Sequence, residues 1–129
     1  MPTGSSRTIA DYAVVLRALD DEWRLRTLLH EFAMVWLDAP AGQRAELVAD
    51  EPKHLDPQWD AFLAAYADHL CWHDGLPSPS WVFDRDRYLN AFWYPATSSP
   101  TLRVEAVVHA PAAFEVRGVL MSDRELLVV

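Results

Sequence analysis

The sequence contains little cysteine and glycine, the residues that disulfide-bonded scaffolds and phosphate-binding loops require. It contains a single cysteine, Cys71, so no internal disulfide can form, and such a chain fits the reducing cytoplasm better than a secreted scaffold. Only four glycines are present, and no two of them lie close together in the sequence. A glycine-rich loop that holds a nucleotide phosphate is therefore excluded.

Long apolar runs and basic residues are scarce as well. No segment approaches the roughly 18 consecutive apolar residues that a membrane-spanning helix needs, and the start "MPTGSSRTIADYAVV" has no basic head before an apolar run. We therefore expect neither a membrane span nor a secretory signal. Nineteen acidic residues outnumber eleven basic ones, which gives a formal charge of −8. This charge repels nucleic acid and suits a basic protein surface, although it also serves solubility alone.

Apolar material, by contrast, is abundant. Half of the 129 residues are hydrophobic and six are tryptophans, and a chain of this length can bury about two-thirds of its unfolded surface. A stable core therefore needs no disulfide. We expect residues 1–7 to form a flexible tail and residues 8–129 to form a single helical domain, with N-terminal helices in 8–52 and a second region in 56–126.

Helical spacing of apolar residues is clearest in "DPQWDAFLAAYADHLCWHDG". Asp56 is placed to cap a helix, Pro57 suits its first turn, and Gly75 suits a left-handed stop. Between them, apolar residues repeat every three and four positions, which predicts one continuous buried face. This face comprises Trp59, Phe62, Leu63, Tyr66, Ala67 and Leu70.

Weaker patterns predict the remaining helices. One helix is expected over residues 8–19, a second from Asp20 or Asp21 to Pro40, and a short third in "PAGQRAELVADEP". Asp84 is placed to cap a short helix, Ser99 and Pro100 open another, and Gly118 stops a final turn. The tail "VLMSDRELLVV" is suited either to a short strand or to an extended segment packed on the helices. The expected fold is mainly α, a compact bundle of six or seven helices with or without a short C-terminal strand.

His69, Cys71 and His73 form the most conspicuous chemical cluster. On a helix, His69 and His73 can face the same ion, but Cys71 points elsewhere, and no third ligand is evident from the spacing. Cys71 also lacks a general base at helical spacing, as a catalytic thiol requires. We therefore expect no metal or cofactor. The two histidines are expected at the edge of the apolar face, each with a ring nitrogen in water.

Aromatic residues in "WVFDRDRYLNAFWYP" are denser than a core of this size requires. Tryptophan and tyrosine dominate the energetics of protein interfaces, so one or two of these rings are candidate anchors for a partner. The candidate partner-binding residues are Trp81, Tyr88, Trp93 and Tyr94, with His69 and His73 as contacts at the rim.

Three segments together resemble an uncharacterised domain family of high-GC Gram-positive (actinobacterial) bacteria. These are "DPQWDAFLAAYADHLCWHDGLPSPSW", "RDRYLNAFWYP" and "TLRVEAVVHAPAAFEVRGVLMSDREL". The resemblance covers about residues 56–126, and the ratio of ten arginines to one lysine agrees with such a genome. In that family the domain follows a helix-turn-helix of repressor type, and its gene lies beside one for a nucleotidyltransferase-like protein.

The resemblance implies the role of an antitoxin or regulator that binds and restrains the transferase. This sequence departs from the family pattern in two ways. The first 50 residues contain five arginines and eight acidic residues, with no basic recognition helix, which argues against direct DNA binding. After "PAAF", Glu115 and Val116 stand before Arg117 where arginines are expected, which makes that surface less basic.

The leading hypothesis is therefore a cytoplasmic, non-enzymatic interaction module that acts as the antitoxin-like partner of a nucleotidyltransferase-type protein. One alternative is a metal-dependent or thiol enzyme centred on His69, His73 and Cys71. Another is a homodimeric structural protein.

Overall fold

Helices make up most of the described chain. The computed structural model describes residues 7–96 and 99–126, so all of the expected tail except Arg7 lies outside the described residues. The six α-helices among these residues are α1 (Ile9–Leu16), α2 (Asp21–Arg26), α3 (Ala33–Asp38), α4 (Pro57–His73), α5 (Pro100–His109) and α6 (Ala112–Glu115). The prediction of a mainly α bundle is confirmed. No helix of the described chain combines the length and the hydropathy that crossing a membrane requires.

Helix α4 lies at the centre of the fold. The Asp56 carboxylate accepts the Trp59 backbone N–H at 3.0 Å, Pro57 is the first helical residue, and Gly75 has a left-handed φ of 69°. All three predicted end signals are therefore confirmed. Twelve of the seventeen residues of α4 are buried, so the predicted face is confirmed but the helix is enclosed on almost every side. The small side chains of Ala61, Ala64 and Ala65 let other elements approach closely.

The N-terminal helices pack on α4 through the predicted apolar residues. Asp20 caps α2 by accepting the Trp23 backbone N–H at 3.1 Å. The expected second helix runs from α2 to α3, but its middle, Thr27–Phe32, is π-helical. The widened segment keeps Leu28 and Phe32 in the core. The expected third helix forms over Ala41–Val48 as a tighter 3-10 helix.

The segment after α4 differs from the prediction. In place of one short helix capped by Asp84, the chain forms two 3-10 turns, Ser80–Phe83 and Arg85–Arg87. Asp84 lies between them in an extended conformation, with ψ of 141°, which interrupts the helical path. The expected short helix after Asp84 is therefore present only as the 3-10 turn Arg85–Arg87, and the Asp84 side chain makes no capping hydrogen bond to it.

The predicted helices near the C-terminus are present. Helix α5 begins after Ser99 with Pro100 in its first turn, as predicted. Helix α6 is followed by Gly118, whose φ is 81° and whose Cα lies so close to its neighbours that an added Cβ would be 3.1 Å from Leu89 Cβ. Only glycine satisfies both conditions at this position.

The C-terminal segment packs as an extended chain in the part that the structure describes, and residues 127–129 lie outside that part. Trp93 and Val119 form a single parallel bridge: the Trp93 N–H donates to Gly118 O, and the Leu120 N–H donates to Trp93 O. The next bond of a parallel ladder would come from the amide of Pro95, which has no N–H. Proline therefore stops the pairing after one bridge.

Candidate functional site

A groove lies between the C-terminal end of α4 and the corner that joins α5 to α6. It has a volume of about 630 Å³, which is within the size range of small binding sites. The residues that line it are Asp68, His69, Trp72, His73, Val108, His109, Ala110, Pro111, Ala112, Ala113, Val116 and Asp123. We call this feature the α4–α6 groove.

Large apolar side chains stand exposed around the α4–α6 groove. Trp72 is 77% exposed, Val108 67% and Val116 62%. The lining from the corner between α5 and α6 contains Pro111 and three alanines, which are small side chains. A folded chain gains about 1.5–3 kcal/mol by burying a large apolar side chain. These three residues are therefore available to gain that energy against another molecule.

His69 lies in the wall of the groove with little access to water. Its side chain is buried at 5% exposure, and its ring packs edge-on against Phe114 with centroids 5.9 Å apart. Burial lowers the pKa of His69 below its usual value, and the nearby His73 adds to that effect. Its Nε2 atom has no hydrogen-bond partner. Leaving such a group unsatisfied costs about 1–3 kcal/mol. For Nε2 the expected contact with water is absent, because this atom is buried.

His73, one turn further along α4, is exposed as expected. Its Nδ1 atom lies 3.3 Å from Asp74 Oδ1, and its ring centroid is 6.2 Å from that of His69. Burial alone would raise the pKa of Asp74, but hydrogen bonds from Arg44, His73 and Trp36 together with the Arg44 charge lower it. Asp74 is thus already engaged by α3 and its neighbours. In residues 7–96 and 99–126, no three histidine, cysteine or acidic side chains are grouped so that they could hold a metal ion.

Cys71 does not share the groove. Its side chain is fully buried on another face of α4. Burial raises the pKa of the Cys71 thiol to about 11, with further contributions from Asp68 and Asp74. A reactive cysteine needs a lowered pKa and access to substrate. The surroundings of Cys71 therefore oppose formation of the thiolate.

Two carboxylates line the α4–α6 groove, and their surroundings differ. Asp68 accepts hydrogen bonds from the Ser78 hydroxyl and from Arg117 Nη1, the latter at 3.0 Å. Asp123 is exposed at the start of a 3-10 turn, and no salt bridge to it occurs within the described residues. Asp123 is therefore the more available negative charge at this site.

Two arginines hold the segment behind the groove, and neither contributes charge to the surface. Arg117 is fully buried between the rings of Phe83 and Tyr88, and it donates to Val82 O and Ala113 O as well as to Asp68. From the sequence, Arg117 is expected at a surface. In the structure it is buried, and its hydrogen bonds connect α4, α6 and the chain at Val82.

Arg87 is also fully buried. Its Nη2 atom donates to Pro52 O at 2.8 Å and to Glu51 Oε2 at 3.0 Å, and its guanidinium stacks on Trp81. Trp81 was a candidate anchor for a partner, but its ring is buried and its indole N–H donates to Val48 O at 2.8 Å. Trp81 therefore has no free face for a partner, and that expectation is corrected.

The other aromatic candidates are half-buried and have partners within the chain. Tyr88 stacks on the Arg117 guanidinium at 4.8 Å, and Tyr94 lies under Arg103 at the same distance. Trp93 packs edge-on against Trp59, with centroids 5.2 Å apart. Of the six predicted contacts, only His69 and His73 line the groove.

Sequence reasoning missed Trp72, although a signal for it was present. Trp72 is two residues beyond Leu70, which places it about 200° around the helix from the predicted apolar face. A large apolar residue that lies off the buried face is a direct candidate for a contact with another molecule. Val108 and Val116 gave no such signal, because their exposure depends on the corner between α5 and α6.

Comparison with known proteins identifies no relative of this chain. No family model matches it, and neither the curated proteins nor the solved structures include a significant match. The functional argument therefore rests on the residues and their geometry, together with the resemblance described for residues 56–126.

Proposed function

We propose that this protein is a non-enzymatic interaction module that binds another protein through the α4–α6 groove. The observation that carries the proposal is Trp72, which is 77% exposed and stands beside the exposed Val108 and Val116. Clusters of exposed apolar residues rimmed by polar ones are typical of binding surfaces. Tryptophan is among the residues that contribute most to binding energy at such surfaces.

The proposed partner is a nucleotidyltransferase-type protein that this chain restrains in the cytoplasm as an antitoxin-like regulator. Two features of the sequence support this choice: the resemblance of residues 56–126 to the actinobacterial domain, and the net charge of −8. A nucleotide-binding cleft carries basic groups for phosphates, and an acidic protein is steered towards such a surface.

The enzyme alternative has less support from the geometry. Cys71 is buried with a raised pKa, and His69 is buried on a different face of α4, so neither side chain is presented as a catalytic group. The homodimer alternative has one observation in its favour. Helix α5 exposes Leu102, Val104 and Val107 in addition to Val108, and a second copy could cover them.

Co-expression with the product of the adjacent gene tests the proposal. We expect a complex that survives purification, relief of the growth arrest that the transferase causes, and an affinity reduced at least about tenfold in Trp72→Ala. Trp23→Ala is the matched control. Trp23 is also exposed, at 54%, but it lies by the other end of α4, where its neighbour Asp21 accepts the Trp59 indole N–H.

Three results would count against the proposal. These are an adjacent gene with no transferase character, a transferase that forms no complex, and a complex that Trp72→Ala and Trp23→Ala affect equally. Light scattering of the isolated protein separates the homodimer alternative: a dimer that Trp72→Ala or Val108→Ser converts to monomer would assign the exposed surface to self-association.

A further inference from the structure

We infer that the α4–α6 groove receives an apolar helix of the partner that carries an arginine or lysine, with the cationic group beside Asp123. This inference rests on the proposed function, because it specifies what the partner presents to the groove. It assigns a separate role to each side of the groove: Trp72, Val108 and Val116 take the apolar side chains, and Asp123 takes the charge.

The apolar part of the inference follows from the shape and lining of the groove. The exposed indole of α4 and a corner built of proline and alanine both line the groove, and two exposed valines add to its apolar lining. A helix that lays one apolar face into a groove is a common mode of recognition, in which side chains one turn apart fill adjacent hollows. A volume of about 630 Å³ accommodates a few such side chains and leaves the helix backbone outside.

The cationic part follows from the charges around the groove. Its lining contains two carboxylates and no arginine or lysine. Asp68 is already paired with the buried Arg117, whereas Asp123 is exposed and forms no salt bridge within the described part of the chain. The adjacent Arg124 does not neutralise Asp123, because Arg124 Nη1 is paired with Glu105 Oε1 at 3.0 Å.

His69 adds a polar group at the same end of the groove. Its Nε2 atom has no partner, and the charge of Asp123 acts on the His69 ring, so the two groups are near one another. A guanidinium beside Asp123 can donate hydrogen bonds to its carboxylate, which is exposed, whereas the Nε2 atom of His69 is enclosed by the fold. Arginine offers several such donors in one plane, which makes it the better match of the two cations.

A second copy of this chain fits the groove less well. Each copy carries a net charge of −8, so two copies repel one another before any contact forms. Helix α5 does carry Arg103 among its exposed apolar residues, but that guanidinium is stacked on Tyr94 at 4.8 Å. Charge complementarity therefore favours a different protein with a basic surface.

Two synthetic amphipathic peptides test the inference without the natural partner. They share one leucine face and differ only in carrying arginine or glutamate beside it. We expect the arginine peptide to bind the whole protein more tightly by about 2- to 5-fold, as measured by fluorescence anisotropy at low salt. The preference should shrink as salt is added, because an exposed pair is screened.

Variants of the 3-10 turn Asp123–Glu125 test which carboxylate causes the preference for the arginine peptide. Asp123→Asn should abolish the preference for the arginine peptide, and Glu125→Gln should leave it intact, because Glu125 is also exposed on the same turn but does not line the groove. Trp72→Ala should weaken both peptides equally. Loss of the preference in Glu125→Gln as well would assign it to net charge and overturn the role of Asp123.

The remaining outcomes are also decisive. Equal binding of the two peptides would overturn the cationic part while the proposed groove stands. Binding of neither peptide, or binding that Trp72→Ala does not change, would overturn the inference even where a complex with the transferase is found. Self-association through Trp72 would replace the partner helix with a second copy.

Discussion

The two ends of α4 are built in opposite ways. At the N-terminal end, Asp56 caps the helix and pairs with Arg24, and Trp59 is buried with its indole N–H bonded to Asp21. At the C-terminal end, Trp72 is exposed and the Nε2 atom of His69 has no partner. One helix therefore places two tryptophans in opposite roles: the first holds the fold together, and the second faces outward.

The difference indicates where the chain is complete and where it can gain energy from a partner. The Trp59 ring is covered and its indole N–H has a partner, so another molecule has nothing to add to this side chain. Around Trp72 a ligand can cover exposed apolar surface and pair with the exposed Asp123. Protein interiors normally satisfy their polar groups, so an exception beside an open groove is a reasoned candidate for a binding site.

Trp59→Ala should have the largest effect on stability. The Trp59 side chain packs on Phe62 and Trp93, with ring centroids 5.1 and 5.2 Å away, and is 1% exposed. Removing such a side chain leaves a cavity, and we expect the free energy of unfolding to fall by about 3–5 kcal/mol in urea titrations. Trp23→Ala, at an exposed position, is the control. A loss below about 1 kcal/mol in Trp59→Ala would contradict the structural role of this end.

Asp60→Ala should have the next largest effect. The Asp60 carboxylate accepts the Leu55 backbone N–H at 2.7 Å and lies 2.9 Å from His54 Nδ1. Alanine removes this acceptor and leaves the Leu55 backbone N–H without its partner. We therefore expect a loss of about 1–3 kcal/mol in the free energy of unfolding. Asp60→Asn retains one carbonyl oxygen for the Leu55 amide and should lose less. Equal losses in the two variants would show that the acceptor at this position is not what matters.

The ends of α4 and the buried arginines differ in how far the sequence predicts them. The ends of α4 depend on local residue types, since Asp56, Pro57 and Gly75 each act on the backbone beside them, and all three were predictable. The burial of Arg87 was not, because its partners Glu51 and Pro52 lie some 35 residues away and no pattern in the chain connects them. Long-range polar contacts of this kind hold both Arg87 and Arg117 inside the fold, although the sequence led us to expect Arg117 at the surface.

The candidate site follows the same rule. His69 and His73 were predictable as neighbours, because one helix places them on one side. The groove itself was not, because its second wall comes from the corner between α5 and α6, some 40 residues further along. Trp72 was predictable in part. Its position on α4 already places it off the buried face, but the binding surface is evident only from the exposed valines that line the same groove.

His69→Leu should have a smaller effect whose size depends on pH. Burial lowers the pKa of His69 in the folded protein, so the unfolded chain binds a proton more readily. Stability from this residue is therefore present above pH 6.5 and is lost as the pH falls from there towards the folded pKa. The groups that act on the ring are His73 and Asp68 on α4 and Asp123 on the facing turn.

His69→Leu removes both the unsatisfied nitrogen and the titration. We expect the variant to be as stable as the parent at pH 7 or more stable by about 1 kcal/mol. Between about pH 7 and 5 its free energy of unfolding should fall less steeply than that of the parent. Urea titrations across this range provide the measurement, and identical slopes in the two proteins would refute the assignment.

Trp72→Ala should have the smallest effect on stability, although it stands on the same helix as Trp59. The Trp72 side chain is largely in water in the free protein, so its removal opens no cavity and should change the free energy of unfolding by no more than about 0.5 kcal/mol. Loss of binding without loss of stability is what distinguishes a contact residue from a structural one. Trp72→Phe, which keeps an aromatic surface, should restore part of the affinity. If Trp72→Ala instead destabilised the fold as Trp59→Ala does, the two ends of α4 would be equivalent and the argument for a binding surface at the C-terminal end would lose its basis.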